Sequence, residues 1–218
     1  MSRNAAEMAP RAEAAASWRQ LPVWVMALIA LCCAIELLIV LLTVAGIADA
    51  RPLATIYGAF WPQLINGSLL PAYAAQPWLM VVSYGFLHGG FLHLAMNMLS
   101  LAVVARELAR LIGSGRMALI YAVSQVAAAA LFAVMAPQSG PMVGASGAIF
   151  GLAGALVVVI ALHRREMGQP LAPLWRAVAN IVALNLGLIF LVPSIAWQAH
   201  LGGAIAGVVL AAMLRRRR

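Results

Sequence analysis

Long apolar runs, separated by short polar or proline-containing segments, dominate the pattern of this chain. The runs predict helices at 23–47, 91–112, 116–136, 146–162, 176–193 and 199–214. A helix needs about 20 largely apolar residues to cross the hydrocarbon core of a bilayer. We therefore predict an all-α, polytopic membrane protein whose six transmembrane helices form one bundle.

The composition agrees with this pattern, because 65% of the residues are hydrophobic and only 9% are charged. A soluble domain carries about 25% charged residues, so this chain has too little polar surface for a soluble fold. The net charge is +8, and every basic residue is arginine. Basic proteins often bind nucleic acid, but these arginines lie between the apolar runs, where lipid headgroups favour them. We therefore expect the arginines to interact with a lipid bilayer and not with nucleic acid.

The pattern divides the chain into a polar tail, a membrane domain and a basic end. We expect residues 1–22 to form a cytoplasmic tail, 23–214 the membrane domain and 215–218 a basic cytoplasmic C-terminus. Ala48-Asp49-Ala50 resembles a signal-peptide cleavage site. A signal peptide has an apolar region of about 7–15 residues, however, and the run from Val23 to Ile47 is much longer. The first helix is therefore predicted to remain uncleaved.

The arginines also predict the orientation of the bundle. With the N-terminus inside, 13 of the 14 arginines fall on the inner side and Arg51 alone lies outside, as the positive-inside rule requires. Both termini are then cytoplasmic, and the alanine- and arginine-rich, lysine-free composition favours a bacterial inner membrane. The long external connection, 48–90, contains Trp61 and Trp78, which favour a position in the membrane interface.

Four polar residues fall at one predicted depth, near the outer side. The second, fourth and sixth predicted helices all begin there: His93 and Asn97 open the second, Ser146 the fourth and His200 the sixth. Ionisable groups in a membrane are costly, so each is a candidate functional residue. The segment 137–141 before Ser146 contains two prolines, and non-helical backbone at membrane depth must be buried in protein or line a wet cavity. The sequence thus predicts a hydrolytic site.

A serine hydroxyl needs a neighbouring base to act as a nucleophile. His200 is the candidate base for Ser146, provided that the fourth and sixth helices pack closely. Small residues four positions apart allow such an approach. They are Gly147 and Gly151 on the fourth helix, and Gly203 and Gly207 on the sixth.

The pair His93 and Asn97, four residues apart, lies on one helical face. Its N–H groups, with the backbone N–H of Ser146, are candidate donors to a developing oxyanion. The alternative role for this pair is an ordinary interhelical hydrogen bond. Phe150, one turn after Ser146, is a candidate for stacking on the imidazole of His200.

The few acidic residues exclude several rival chemistries. The only aspartate is Asp49, in the external connection. Glu36 lies in the middle of the first predicted helix and Glu107 deep in the second, and we expect both to be far from the outer level. No acid then completes a triad, and two carboxylates cannot share a site as in an aspartyl protease. The H-E-x-x-H zinc motif and the G-x-S-x-G elbow are both absent. Neither a zinc metalloprotease site nor a soluble hydrolase elbow is therefore predicted.

These residues fall into an ordered set of motifs. The set comprises His88-Gly89-Gly90-Phe91-Leu92-His93 with Asn97, Gly113-Ser114-Gly115-Arg116, Gly144-Ala145-Ser146-Gly147-Ala148-Ile149-Phe150-Gly151, and Ala199-His200-Leu201-Gly202-Gly203 with Gly207. In order and spacing the set resembles the rhomboid family over about residues 75–210.

The resemblance implies an intramembrane serine endopeptidase that acts on transmembrane protein substrates. It implies a six-helix core, a Ser146/His200 dyad, oxyanion donors at His93 and Asn97, and no cofactor. It also implies supporting roles for motif residues, and structural hydrogen-bonding roles for His88 and Glu107. The supporting residues are His88, Gly144, Gly147, Phe150 and Gly203. The family often has Trp-Arg in its first external loop, which lies partly in the membrane; here Leu79 follows Trp78, so this anchoring is not predicted.

Two alternatives remain at this point. A non-catalytic rhomboid-like protein that binds membrane clients would lack the serine or the histidine, and both are present here. A transporter or channel would place its polar groups near the midplane rather than near one side. The sequence does not identify the substrate, the cleavage site or the oligomeric state.

Overall fold

The computed structural model describes residues 21–46, 50–191 and 195–214. Within these ranges the chain forms helices and one isolated β-bridge, without an extended strand. The helices are α1 Val23–Val44, α2 Ala50–Gly58, α3 Pro62–Ile65, α4 Gln76–Ser83, α5 Phe91–Ile112, α6 Ser114–Met135, α7 Ser146–Glu166, α8 Ala172–Leu191 and α9 Trp197–Met213, with a 3₁₀-helix at Tyr84–Phe86. The predicted tail before residue 21, the Ala48-Asp49 part of the cleavage-like site and the basic end 215–218 lie outside the described residues.

The six predicted membrane helices correspond to α1 and α5 to α9, so the predicted all-α polytopic fold is confirmed. The second predicted helix, 91–112, has the same bounds as α5. The fourth was predicted to end at residue 162, whereas α7 continues for four more residues, through a polar last turn that ends at Glu166. In the described chain, five helices are long and apolar enough to cross a membrane, and α9 is a shorter apolar helix. With 17 residues, α9 spans about 25 Å, slightly less than a typical hydrocarbon core.

The predicted glycine faces meet where α7 and α9 pack together. A Cβ atom on Gly203 would overlap the carbonyl oxygen of Gly147, and one on Gly207 would overlap that of Gly151. Only glycine therefore permits this separation of the two backbones, as small-residue faces do in membrane bundles. The close packing places the beginning of α9 beside the beginning of α7.

The outward faces of the bundle are apolar. Large side chains such as Leu37, Phe91, Val134 and Phe190 are exposed, and none of the described residues of α8 is buried. Surfaces of this size and composition are unfavourable in water but match the hydrocarbon core of a bilayer. The fold is therefore that of an integral membrane protein.

The described part of the connection predicted to be external, residues 50–90, is folded and joined to the rest of the molecule. Phe60 pairs with Met142 through two backbone hydrogen bonds of 2.9 Å, which ties the segment between α2 and α3 to the segment before α7. The buried amide of Gln76 donates to the carbonyl of Ile56 at 2.6 Å and accepts from the N–H of Ala72 at 2.7 Å. These bonds supply polar anchoring that the sequence did not predict.

Candidate active site

Three helices begin at one end of the bundle and bring the predicted site residues together. Ser146 is the first residue of α7, and His200 lies in the first turn of α9. His93 lies in the first turn of α5. The segment 136–145, which precedes Ser146, is non-helical, and it includes the proline-containing stretch 137–141 for which this was expected. The local sequence decides where each helix starts, and the packing of α5, α7 and α9 brings the three starts to one place.

The central contact joins the two residues predicted to form a dyad. The Nε2 atom of His200 lies 2.9 Å from the Oγ atom of Ser146, within the distance of a good hydrogen bond. The ring of Phe150 stacks on the His200 imidazole, with centroids 4.3 Å apart and planes inclined by 11°. This predicted stacking fixes the plane of the imidazole, so that its Nε2 atom faces the hydroxyl.

His93 has a defined hydrogen-bonding pattern. The backbone N–H of Gly89 donates to its Nδ1 atom at 3.1 Å. Because Nδ1 accepts this bond, a neutral ring carries its proton on Nε2. The His93 side chain is thereby held as an N–H donor that extends from the Nε2 side of the ring.

Gly144 lies between His93 and Ser146. Its φ angle is 116°, which disfavours any residue with a side chain, and its N–H donates to the carbonyl of Tyr84 at 2.9 Å. A Cβ atom here would lie only 2.9 Å from Nε2 of His93 and 3.9 Å from Oγ of Ser146. The donor of His93 and the hydroxyl of Ser146 thus border the same small space, which a glycine leaves open.

Asn97 is buried and makes a local contact. Its Nδ2 atom donates to the backbone carbonyl of His93, one turn earlier in the same helix, at 2.9 Å. This bond lies within α5, and among the residues that the structure describes Asn97 makes no hydrogen bond to another helix. The second amide hydrogen is available for another acceptor, and an oxyanion role for Asn97 remains a prediction.

His88 lies directly behind His93. The side chain is buried, and the two rings meet edge to face with centroids 5.3 Å apart. Neither ring nitrogen has a hydrogen-bond partner within the described part of the chain. Burial, reinforced by the positive charge that His93 can carry, lowers the pKa of His88 to about 4. The predicted structural hydrogen bond is instead made by the backbone carbonyl of His88, which accepts from Arg51 at 2.8 Å.

The expectation that Glu36 lies far from the site was wrong, whereas Glu107 lies near the end of α5 opposite His93, as expected. Glu36 is not remote from the site: it is buried and binds Arg51, whose guanidinium also reaches His88. Glu107 is partly exposed and pairs with Arg110 on its own helix. The signal available in the sequence was that a glutamate in a spanning helix needs a partner, and Arg51 was the only arginine assigned to the outer side. Hydrophobic periodicity alone could not predict the Glu36–Arg51 ion pair, because the pair depends on how α2 folds back against α1.

Residues 75–217 match the family model described as the Rhomboid domain. Over 141 residues the chain is 39% identical to "Rhomboid protease GluP" of Bacillus subtilis, a match that covers 65% of this chain and 27% of that protein. It is 30% identical over 150 residues to "Putative rhomboid protease YdcA" of the same organism, covering 69% and 73% of the two chains. A fungal relative, "Rhomboid-type serine protease 2" of Emericella nidulans, is 30% identical over 152 residues, covering 69% of this chain and 30% of that protein. The chain thus corresponds to less than a third of two of these relatives.

Proposed function

The chain belongs to the rhomboid family, and from this premise we propose that it is an intramembrane serine endopeptidase. Its substrates would be membrane proteins, cut in or near their transmembrane segments. The observation that carries the proposal is the 2.9 Å contact between His200 Nε2 and Ser146 Oγ. The similar proteins from Bacillus subtilis and Emericella nidulans are also called proteases.

In the proposed reaction, Ser146 is the nucleophile and His200 the general base. The imidazole accepts the hydroxyl proton as Oγ attacks the carbonyl carbon, and then donates that proton to the leaving amine. Stacking on Phe150 holds the ring for both transfers. A water molecule activated by His200 then hydrolyses the acyl-enzyme and restores the serine.

The space beside Gly144 is the proposed site of the developing oxyanion. His93 presents Nε2–H there because its Nδ1 atom is occupied by Gly89. The backbone N–H of Ser146, at the start of α7, and the free hydrogen of the Asn97 amide are the further proposed donors. Donors fixed in advance stabilise charge that appears only in the transition state.

The substrate would reach this site as a locally unwound segment. Backbone hydrogen bonds hold a membrane helix closed, so small or helix-breaking residues near the cleaved bond should favour cleavage. Reporter substrates that differ only at these positions test this part of the proposal. Equal cleavage of substrates built uniformly from strong helix formers would contradict it.

We also propose that residues 23–214 act as one membrane domain, with both termini in the cytoplasm and the site at the outer side. Arg110, Arg164 and Arg165 lie in the last turns of α5 and α7, opposite the end that carries Ser146. The positive-inside rule places that arginine-rich end inside, here of a bacterial inner membrane. Terminal tags that are digested in intact spheroplasts, rather than in inverted vesicles, would contradict this orientation.

The experiment that tests the activity uses purified protein in liposomes. Wild type, Ser146→Ala and His200→Ala are treated with a fluorophosphonate probe, and cleavage of a transmembrane reporter is followed in parallel. The expected result is labelling and cleavage by wild type alone, because each variant lacks one half of the dyad. A folded wild type that neither labels nor cleaves would refute the protease and favour a binder of membrane clients.

A further inference from the structure

A buried carboxylate in the first membrane helix has an arginine partner from the external connection. The side chain of Glu36 is 5% exposed, and that of Arg51 is 37% exposed. Nη2 of Arg51 donates to Oε1 at 2.6 Å, and Nη1 donates to Oε2 at 3.3 Å. A buried carboxylate is costly without a partner, so this two-nitrogen contact holds α2 against α1.

Arg51 makes a third hydrogen bond, which leads toward the proposed site. Its Nη1 atom also donates to the backbone carbonyl of His88 at 2.8 Å. The next residue is Gly89, whose N–H donates to Nδ1 of His93 at 3.1 Å. The carbonyl of His88 and the N–H of Gly89 belong to the same peptide group, which is planar and rigid. The guanidinium therefore fixes the peptide plane that orients the His93 ring.

We propose that Glu36 and Arg51 are positioning residues: they hold the His88–Gly89 peptide so that His93 keeps its proton on Nε2, facing Ser146. This inference rests on the proposed protease function. Neither residue touches the reacting atoms. Glu36 orients the guanidinium, the guanidinium orients the peptide, and the peptide selects both the tautomer and the direction of the imidazole donor.

Other contacts of the external connection are independent of this arginine. The Phe60–Met142 bridge and the hydrogen bonds of Gln76 hold α2 to α4 in place. The N–H of Gly144 is held separately by the carbonyl of Tyr84. Loss of the Arg51 bond should therefore release the His88–Gly89 peptide without unfolding the connection around it.

The test compares wild type with the double variant Glu36→Gln/Arg51→Gln, in which no buried charge is left unpaired. Removal of a whole oxyanion donor costs about 10²–10³ in rate, so a misdirected donor should lower kcat by roughly 10–10²-fold. KM and the unfolding midpoint should change little. The ¹⁵N spectrum of the His93 ring should change from a single Nε2–H tautomer to a mixture.

The matched control is Glu107→Gln/Arg110→Gln. It removes the other Glu–Arg pair, which lies on α5 away from the site, and it should leave both kcat and the His93 spectrum unchanged. If the first double variant does not fold, Arg51→Lys is tested instead. This variant retains the positive charge but lacks the planar guanidinium group, so it cannot contact Glu36 through two nitrogens. That variant should lower kcat in the same direction and broaden the tautomer distribution.

A folded Glu36→Gln/Arg51→Gln variant with wild-type kcat and an unchanged His93 spectrum would overturn the inference. So would a loss of kcat that only parallels a loss of folded protein, since that outcome indicates a structural pair. The spectrum also separates this inference from the proposed function. If wild type does not cleave, the protease proposal fails, while a tautomer change in the variant still demonstrates the coupling.

Discussion

Replacement of Gly203 by alanine should separate α9 from α7 and thereby move His200 away from Ser146. A Cβ atom at this position would overlap the carbonyl oxygen of Gly147. Relief of this overlap requires a shift of the helices by about 1 Å, and a misplacement of that size can cost about 10²-fold in rate. The 2.9 Å contact between Nε2 and Oγ would then exceed hydrogen-bond distance.

The effect on stability has two opposing parts. An alanine is favoured over glycine within a helix by about 1 kcal/mol, whereas overpacking costs typically about 1–3 kcal/mol. Because the overlap involves backbone rather than a flexible side chain, we expect the overpacking to dominate. Gly203→Ala should therefore lower the unfolding midpoint as well as the rate.

The assay measures the rate of fluorophosphonate labelling of Ser146, cleavage of the reporter and the unfolding midpoint in one detergent. The matched control is Gly187→Ala on α8, where a Cβ atom would meet nothing within 4 Å. It should keep the wild-type rate and gain slightly in stability. If Gly203→Ala labels and cleaves at the wild-type rate, close packing of α7 and α9 does not position the dyad, and the reasoning fails.

Two further predictions concern the residues around the dyad. Phe150→Leu removes the aromatic ring on which the His200 imidazole stacks. The catalytic base should then be less well oriented, so kcat should fall about tenfold while KM changes little. An unaltered rate of fluorophosphonate labelling of Ser146 would contradict this role. The pKa of His88 is about 4 in the folded protein, against 6.5 when unperturbed, so its neutral form stabilises the fold fully above pH 6.5. That contribution, up to about 3 kcal/mol, should be lost as the pH falls from 6.5 to 4, and the pH dependence of the unfolding midpoint should be shallower in His88→Phe than in wild type.

Much of the fold follows from local sequence, while the anchoring of the site does not. The apolar runs predicted α5 to its observed bounds, and the helix starts at Ser146 and near His200 followed from proline, glycine and the return of apolar residues. The sequence did not predict the short helices of the external connection. Its alternation of prolines and aromatics carries no long periodic signal, and Phe60 is bound to Met142 across a long stretch of chain.

The two glutamates illustrate the same limit. Both lie within predicted membrane helices and both were expected far from the outer level, yet Glu36 is buried against Arg51 and Glu107 is partly exposed beside Arg110. Which face of a helix is covered depends on its neighbours. A helix that is apolar on all sides gives no amphipathic pattern from which to infer that face.

The sequence by itself determined that this chain is a bundle of membrane helices, and it determined which polar residues open those helices at one level. These properties depend on the length, apolarity and order of segments, which are local and additive along the chain. Only the tertiary structure decided that Asn97 bonds within its own helix and that Arg51 links Glu36 to the peptide behind His93. These contacts depend on helix rotation and on atomic distances between separate elements, which hydrophobic periodicity does not encode.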